Sequence, residues 1–303
     1  MSRVNVDILM ATYNGSEYLS EQLDSLLKQS YRSWRLLVHD DGSSDDTVRI
    51  VQNYQRMDRR VQLLSDGVRG LGAAGNYMHL LKYTNAPLCM FCDQDDVWFD
   101  DKVSRLVAAI SNEQGPAAAY ANAFFYESGR LTRKTIDIHP SSLKNMLFMN
   151  SGIQGCSLIV NRQLIELVRP FDGTVAMHDH LLTLASVAFG KLIYLDEVLM
   201  LYRQHEKNAT ADHQTGLSGR VRSFLSRNKQ VIDRRHFEAN RSFFDYFFLR
   251  LSPQARQLFE AYFRYALCPS VFGRLWLVWK HGFQLGNRKG LLSMKTLMRQ
   301  AID

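Results

Sequence analysis

The stretch "PLCMFCDQDDVWFDDK", residues 87–102, sets an apolar run directly before a dense group of acids. Five of its sixteen residues are aspartates, three of them inside Asp93-Gln94-Asp95-Asp96. Like charges this close repel, so they call for a compensating partner or ligand. Residues 88–92 read as a buried strand, and the acids begin where it ends. Two upstream segments have the same form. Residues 6–11 ("VDILMA") lead into Thr12-Tyr13-Asn14, and residues 34–39 ("WRLLVH") lead into Asp40-Asp41-Gly42-Ser43. Helical patterns alternate with these runs: 16–29, with Leu19, Leu23, Leu26 and Leu27 on one face and Ser16 as N-cap, then a helix capped by Asp45 or Asp46, then 75–84. A short third strand falls at 61–65. This β-α-β-α-β-α-β order predicts an α/β fold with a mostly parallel sheet flanked by helices. Ligands of such sheets bind beyond the carboxyl ends of the strands, where every polar cluster named above lies.

Farther along, strands are expected at 117–126, 153–160, 191–196 and 198–202, and helices from Arg162 and over 181–189. From Thr215 onward, basic and aromatic residues alternate through helical patterns broken at Ser252-Pro253 and near Cys268-Pro269. The reading is a body at 1–214 and a helical C-terminal region at 215–303. Charge divides the same way. The region 215–303 carries 16 Lys and Arg against 5 Asp and Glu, whereas the whole chain of 303 residues is only +7, so the body is acidic.

With 46% hydrophobic and 22% charged residues the chain is ordinary for a soluble protein. No apolar run approaches a spanning helix, and the opening residues read as a strand rather than a leader. Four cysteines argue for a reducing, cytoplasmic setting. Cys89-x-x-Cys92 lacks the second pair of a metal site and reads as two core thiols. Gly70-Leu71-Gly72-Ala73-Ala74-Gly75 is a literal G-x-G-x-x-G, but two strand–helix units precede it. A dinucleotide fingerprint belongs on the first strand-to-helix turn. These glycines fit a loop that approaches a ligand closely. Asp93-x-Asp95 sets two carboxylates on one side of an extended chain, a hard-oxygen pair suited to Mg²⁺ or Mn²⁺ beside a diphosphate. Asp100 and Asp101 instead fit the start of the following helix.

The segments "ILMATYNGSEYLSEQLDSLLKQS", "LLVHDDGSSDDT" and "CDQDDVWFDDK", in this order and spacing, resemble the family 2 glycosyltransferases of GT-A fold. "GIQGCSLIVNR" and "MHDHLLTLASVAFGKLIYLDEVLMLYRQHEKN" resemble the rhamnosyltransferase-like branch that builds bacterial surface polysaccharides. The resemblance covers roughly residues 4 to 210. It implies a nucleotide-diphospho-sugar donor, with Ala11, Thr12 and Tyr13 lining the base pocket and Asp41 accepting from a pyrimidine imide. Asp41 also reads as a turn former before Gly42. Glu17 is expected one turn into the pocket-facing helix, and Arg69 within reach of phosphate. Asp93-Gln94-Asp95 occupies the metal motif, with Asp95 as direct ligand, Asp93 on ribose or a metal-bound water, and Asp96 supporting the loop or contacting the sugar. Asp179 matches the catalytic base of an inverting displacement; it also reads as a helix cap. His178 and His180 beside it leave a second metal site open, and related sequences often carry a bulky aromatic where His180 stands. Arg203 and His205 fall in the segment that closes over the diphosphate, with His205 completing the metal shell.

The implied reaction moves L-rhamnose from dTDP-L-rhamnose onto a surface glycan of O-antigen or capsule type, on an acceptor carried by a lipid. A UDP-hexose or UDP-N-acetylhexosamine donor is the alternative, and a nucleotide-sugar binder without turnover is a third reading. The basic, aromatic tail fits a helical cap on the body or a peripheral contact with the inner face of the plasma membrane; nucleic acid is not expected.

Overall fold

Strand β1 (Val6–Thr12) is buried along almost its whole length because helices cover both faces of the sheet. Its side chains alternate between two cores: Val6, Ile8 and Met10 enter one cluster, and Leu9 enters the other. β4 (Leu88–Cys92) repeats the pattern, with Met90 and Cys92 on the first side and Cys89 and Phe91 on the second. The computed structural model describes residues 5–127, 129–205 and 230–302, without the Arg133 side chain. The expected boundary between 214 and 215 lies outside these residues.

The sheet runs β3-β2-β1-β4-β8-β6-β9-β5, with β7 (Arg130–Lys134) paired to β6. β2 (Trp34–Asp40), β3 (Val61–Leu63), β1 and β4 are parallel, as the alternation implied. β8 (Leu158–Asn161) then enters antiparallel between β4 and β6 (Ala117–Glu127). β9 (Lys191–Arg203) runs parallel to β6, and β5 (Val97–Trp98) pairs antiparallel with its end. The two short strands expected at 191–202 are therefore one; a register shift between Ala121 and Asn122 on its partner absorbs the interruption.

Helices α1 (Leu19–Leu27), α2 (Thr47–Met57) and α4 (Lys102–Ile110) pack on one face. On the other lie α3 (Gly72–Leu80), α6 (Arg162–Val168) and α7 (His178–Phe189), with the single turn α5 (Leu143–Met146). Several boundaries differ from the sequence expectation. α1 starts at Leu19, so Ser16 does not cap it, and Glu17 lies in the turn before the helix rather than one turn into it. Residues 155–157 form a 3₁₀ turn ahead of β8. α7 begins three residues earlier than expected, which puts Asp179 inside its first turn rather than at its cap.

Four helices follow: α8 (Arg234–Phe247), α9 (Pro253–Leu267), α10 (Val271–His281) and α11 (Leu291–Met298). Asp233, Ser252 and Ser270 cap the first three through side-chain oxygens that accept from the backbone. The breaks at Pro253 and Pro269 fall where expected. Phe243, Phe247, Phe259, Tyr262 and Tyr265 are buried in the same cluster as Phe91 and Tyr120 of the sheet. To that extent the aromatic tail is a cap on the body.

Candidate active site

β1 and β2 end side by side, with Thr12 opposite Asp40. The Thr12 hydroxyl donates to Asp40 at 2.9 Å, and Asp40 also accepts from the backbone of Gly42 and Ser43. Asp40 thus builds the turn that had been one reading of Asp41. The Asp41 carboxylate reaches thirty residues along the chain: one oxygen accepts from the Leu71 amide at 2.7 Å and the other from Gly72 at 2.8 Å. It clamps the glycine-rich loop at the start of α3, where Gly72 has φ +67°, a conformation that favours glycine. Arg69, exposed on the same loop, lies over Gly42. Ala11 is half-buried against the core, Glu17 is exposed, and the Tyr13 ring is 59% exposed beyond β1.

The loop after β4 is tied to these turns. Gln94 accepts from the Tyr13 amide at 2.9 Å and donates to the Tyr13 carbonyl at 3.0 Å, so its side chain braces two strand ends. Tyr77 of α3 donates its hydroxyl to Asp93 at 2.7 Å. The Arg203 backbone amide donates to Asp96 at 3.2 Å, its guanidinium donates to the Asp95 carbonyl at 2.8 Å and to Glu21, and it packs between the Tyr18 and Tyr126 rings. The end of β9 is thereby fastened across the acid loop. His205 lies against Tyr18 and brings its Nε2 to 2.8 Å from an Asp95 oxygen.

The carboxylates are poorly compensated. Burial, and then the Asp93 charge, raise the Asp95 carboxyl above the ordinary range, although His205 pulls the other way. Burial and the charges of Asp95 and Asp93 push Asp96 much further up. The buried Oδ2 of Asp96 has no N–H or O–H donor among the described residues. The Cys156 thiol, a weak donor, stands near this carboxylate: its sulfur lies within 4.8 Å of an oxygen of Asp93 and of Asp96. Beneath them the Lys102 ammonium is fully buried, donating to the Cys156 carbonyl at 2.6 Å and lying 3.8 Å from the Trp98 ring centre. Burial lowers it to about 8. Clustered acids with an orphaned oxygen, and a histidine against one of them, fit a hard divalent cation; the thiol suits a softer metal and is the least apt member.

Asp179 lies in the first turn of α7. A Cβ on Gly152 would fall 2.5 Å from the backbone of Asp179 and His180, so only glycine lets this segment pass beneath the start of α7. The carboxylate accepts from the His180 amide at 2.6 Å. Burial raises it to about 7, with Asp93 adding in the same direction, which places the two acids within electrostatic reach of each other. His178 and His180 do not join it as ligands. His178 is packed between Tyr77 and Phe91, and His180 meets the His236 ring of α8. Burial lowers both to about 3, so both are neutral. Among the described residues, these histidines do not gather with Asp179 into a cluster of metal-ligating atoms. The sequence reading did not single out Glu21, Tyr77, Lys102, Cys156 or Gly152; none carries a local signal, because each acts on residues far away in the chain.

The profile of the family described as "Glycosyl transferase family 2" matches residues 7–165. The chain is 27% identical to dTDP-rhamnosyl transferase RfbG of Shigella flexneri, over 73% of this chain and 80% of that protein. It is 31% identical to the UDP-Glc:alpha-D-GlcNAc-diphosphoundecaprenol beta-1,3-glucosyltransferase WfgD of Escherichia coli, over 53% of this chain and 62% of that one. Among solved structures, S. aureus TarS 1-349 in complex with UDP-GlcNAc superposes with a TM-score of 0.60 at 16% identity, covering 91% of this chain and 80% of that one. Mannosyltransferase PcManGT from Pyrobaculum calidifontis, in complex with GDP-Man and Mn²⁺, superposes with a TM-score of 0.53 at 16% identity, over 98% and 84% of the two chains. At such identity these structures speak to the fold, which is that of the GT-A glycosyltransferases. With more than half of its length matched by the family profile, the chain is a glycosyltransferase and belongs to glycosyl transferase family 2.

Proposed function

We propose that the protein is an inverting, metal-dependent glycosyltransferase that moves L-rhamnose from dTDP-L-rhamnose to a hydroxyl of a lipid-linked surface glycan. The observation that carries this reading is Asp179: a carboxyl held near 7 by burial, within the field of Asp93. A general base works best when its pKa lies near the working pH. The acceptor hydroxyl loses its proton to Asp179 as its oxygen bonds to the anomeric carbon, and the bond from that carbon to the diphosphate breaks. One displacement inverts the configuration. His178 and His180, both neutral, do not compete for the proton.

On the donor side, Tyr13 supplies an exposed ring for the base, and Ala11 and Thr12 form the strand end beneath it. Asp41 retains acceptor capacity for the imide N–H while it clamps the glycine loop. Arg69 and Glu17 stand at the rim. Asp95 and His205 would hold Mg²⁺ or Mn²⁺, with Asp93 on ribose or a bound water. That cation supplies positive charge to the departing diphosphate. Gln94, Asp96 and Arg203 hold the loop in shape, a positioning role favoured by their hydrogen bonds.

Rhamnose is favoured by the similarity to RfbG. A UDP-hexose or UDP-N-acetylhexosamine donor is the second reading, favoured by WfgD and by TarS. A binder without turnover has no use for a carboxyl tuned like Asp179. A donor that binds only the native state raises its apparent stability. A thermal-shift panel of nucleotide sugars with Mg²⁺ or Mn²⁺ should therefore give its largest shift with dTDP-rhamnose; a larger shift with a UDP-sugar would replace the donor assignment. A lipid-linked acceptor puts the enzyme on the cytoplasmic face of the plasma membrane. No described helix is long and apolar enough to cross a membrane.

A further inference from the structure

Among the C-terminal aromatics, the structure separates two populations. Those of α8 and α9 lie mostly in the core. Those of α10 do not: Phe272 is 82% exposed, Trp276 49% and Trp279 81%. They recur at i, i+4 and i+7, which is one face of a helix. The opposite residues Arg274, Leu277 and Val278 are buried, so α10 is anchored to the protein by one face and open on the other. α11 packs against α10 and likewise buries Leu292 and Thr296 while exposing Met294 and Leu297. Leu267, at the end of α9, adds to the exposed apolar surface.

Charge decides what covers this surface. Residues 261–302 contain seven Arg and Lys and no Asp or Glu. Lys280 lies 4.4 Å from the Trp276 ring centre, and Arg288 and Lys289 are exposed on the next loop. A second copy of the same face would bring like charges together. An acidic surface with an apolar interior meets both halves of the pattern. Tryptophan favours the boundary between headgroups and acyl chains, and basic residues around it gain from anionic lipid. An 11-residue helix is too short to span a bilayer and would lie in its plane.

We propose that the outer face of α10 and α11, centred on Phe272, Trp276 and Trp279, docks the enzyme on an anionic phospholipid surface. This extends the reading of a lipid-linked acceptor, and its test reads vesicle binding and turnover separately. The full chain is sedimented with phosphatidylcholine vesicles, with and without phosphatidylglycerol. Wild type should pellet with the anionic vesicles, release in high salt and stay in solution with phosphatidylcholine alone. Phe272→Ser/Trp279→Ser should weaken binding at least about tenfold, since each removes a large apolar contact. Lys280→Ala/Lys289→Ala should weaken it by about the same factor. The four side chains are exposed, so transfer to a soluble acceptor should be unchanged in both variants. Equal pelleting of wild type and the aromatic variant, or no pelleting with anionic vesicles, would overturn the proposal. So would sedimentation velocity showing that the aromatic substitutions dissolve a dimer while vesicle binding persists. Loss of turnover with intact vesicle binding would count against the catalytic reading alone.

Discussion

Asp7 and the acids Asp95, Asp96 and Asp179 lie toward opposite ends of the sheet's central strands. At the amino edge, Asp7 accepts from Arg35 at 3.0 and 2.8 Å, from the Thr84 hydroxyl and from the amides of Asn85 and Ala86. Burial pushes its carboxyl up, but the Arg35 and Thr84 hydrogen bonds outweigh that, and it titrates below the ordinary range. At the carboxyl edge, burial outweighs the hydrogen bonds that Asp95, Asp96 and Asp179 accept, and all three are raised. The chemistry of the side chain is the same. What differs is whether the donors around the carboxylate outweigh its burial. The first arrangement holds strands together; the second favours a cation, a diphosphate or a proton.

The largest effect is expected at Asp179. Asp179→Asn should lower kcat about a thousandfold, the usual scale for losing a general base, with the donor-induced thermal shift retained. Lost donor binding would remove Asp179 from the role of base. At the other edge, Asp7→Ala should destabilise the protein by about 3 kcal/mol in urea unfolding, because Arg35 and three donors lose a buried partner. Arg35 is partly exposed, which keeps the cost from being larger. The sign with pH follows from the lowered carboxyl: Asp7 contributes stability above its unfolded pKa, and that contribution fades as pH falls through the folded value. A variant as acid-sensitive as wild type would contradict it.

The rate should fall about tenfold per pH unit below the Asp179 pKa, near 7, because only the ionised carboxylate accepts the proton. A pH-independent rate between 5 and 8, or a limb that survives Asp179→Asn, would sink the assignment. The smallest effect is expected at Asp96. Asp96→Asn removes a raised, poorly partnered acid, so the metal-free protein should gain about 1 kcal/mol near neutral pH. The same variant should show a smaller thermal shift with Mn²⁺ and nucleotide sugar. A loss of stability comparable to that of Asp7→Ala would erase the distinction between the two edges.

Much of the frame was legible in the chain. β1, β2 and β4 are mostly apolar runs because both their faces are covered, and each announces its carboxyl end with a polar cluster. Residues on adjacent strand ends, such as Thr12 with Asp40, could be grouped from that alone. The insertion of β8 between β4 and β6 could not, because it pairs Leu88 with Asn161 and Ala118 with Val160, residues far apart in the chain. The Asp41 clamp on Leu71 and Gly72 was hidden for the same reason, and nothing beside Lys102 in the chain announces that its ammonium is buried against the Cys156 carbonyl. The tail was legible only as a sum: α8, α9 and α10 carry similar aromatic patterns, and packing alone separates the buried rings from Phe272 and Trp279.

By itself, the sequence determined the alternation of strands and helices, the places where each strand ends and the family to which those motifs point. These depend on hydrophobic period and on residues close together in the chain. Which acids are held ionised and which are raised depends on the folded molecule, because burial and hydrogen-bond donors come from segments far away. The same twelve or so atoms of an aspartate become a rivet at Asp7 and a candidate base at Asp179, according to what the fold brings beside them.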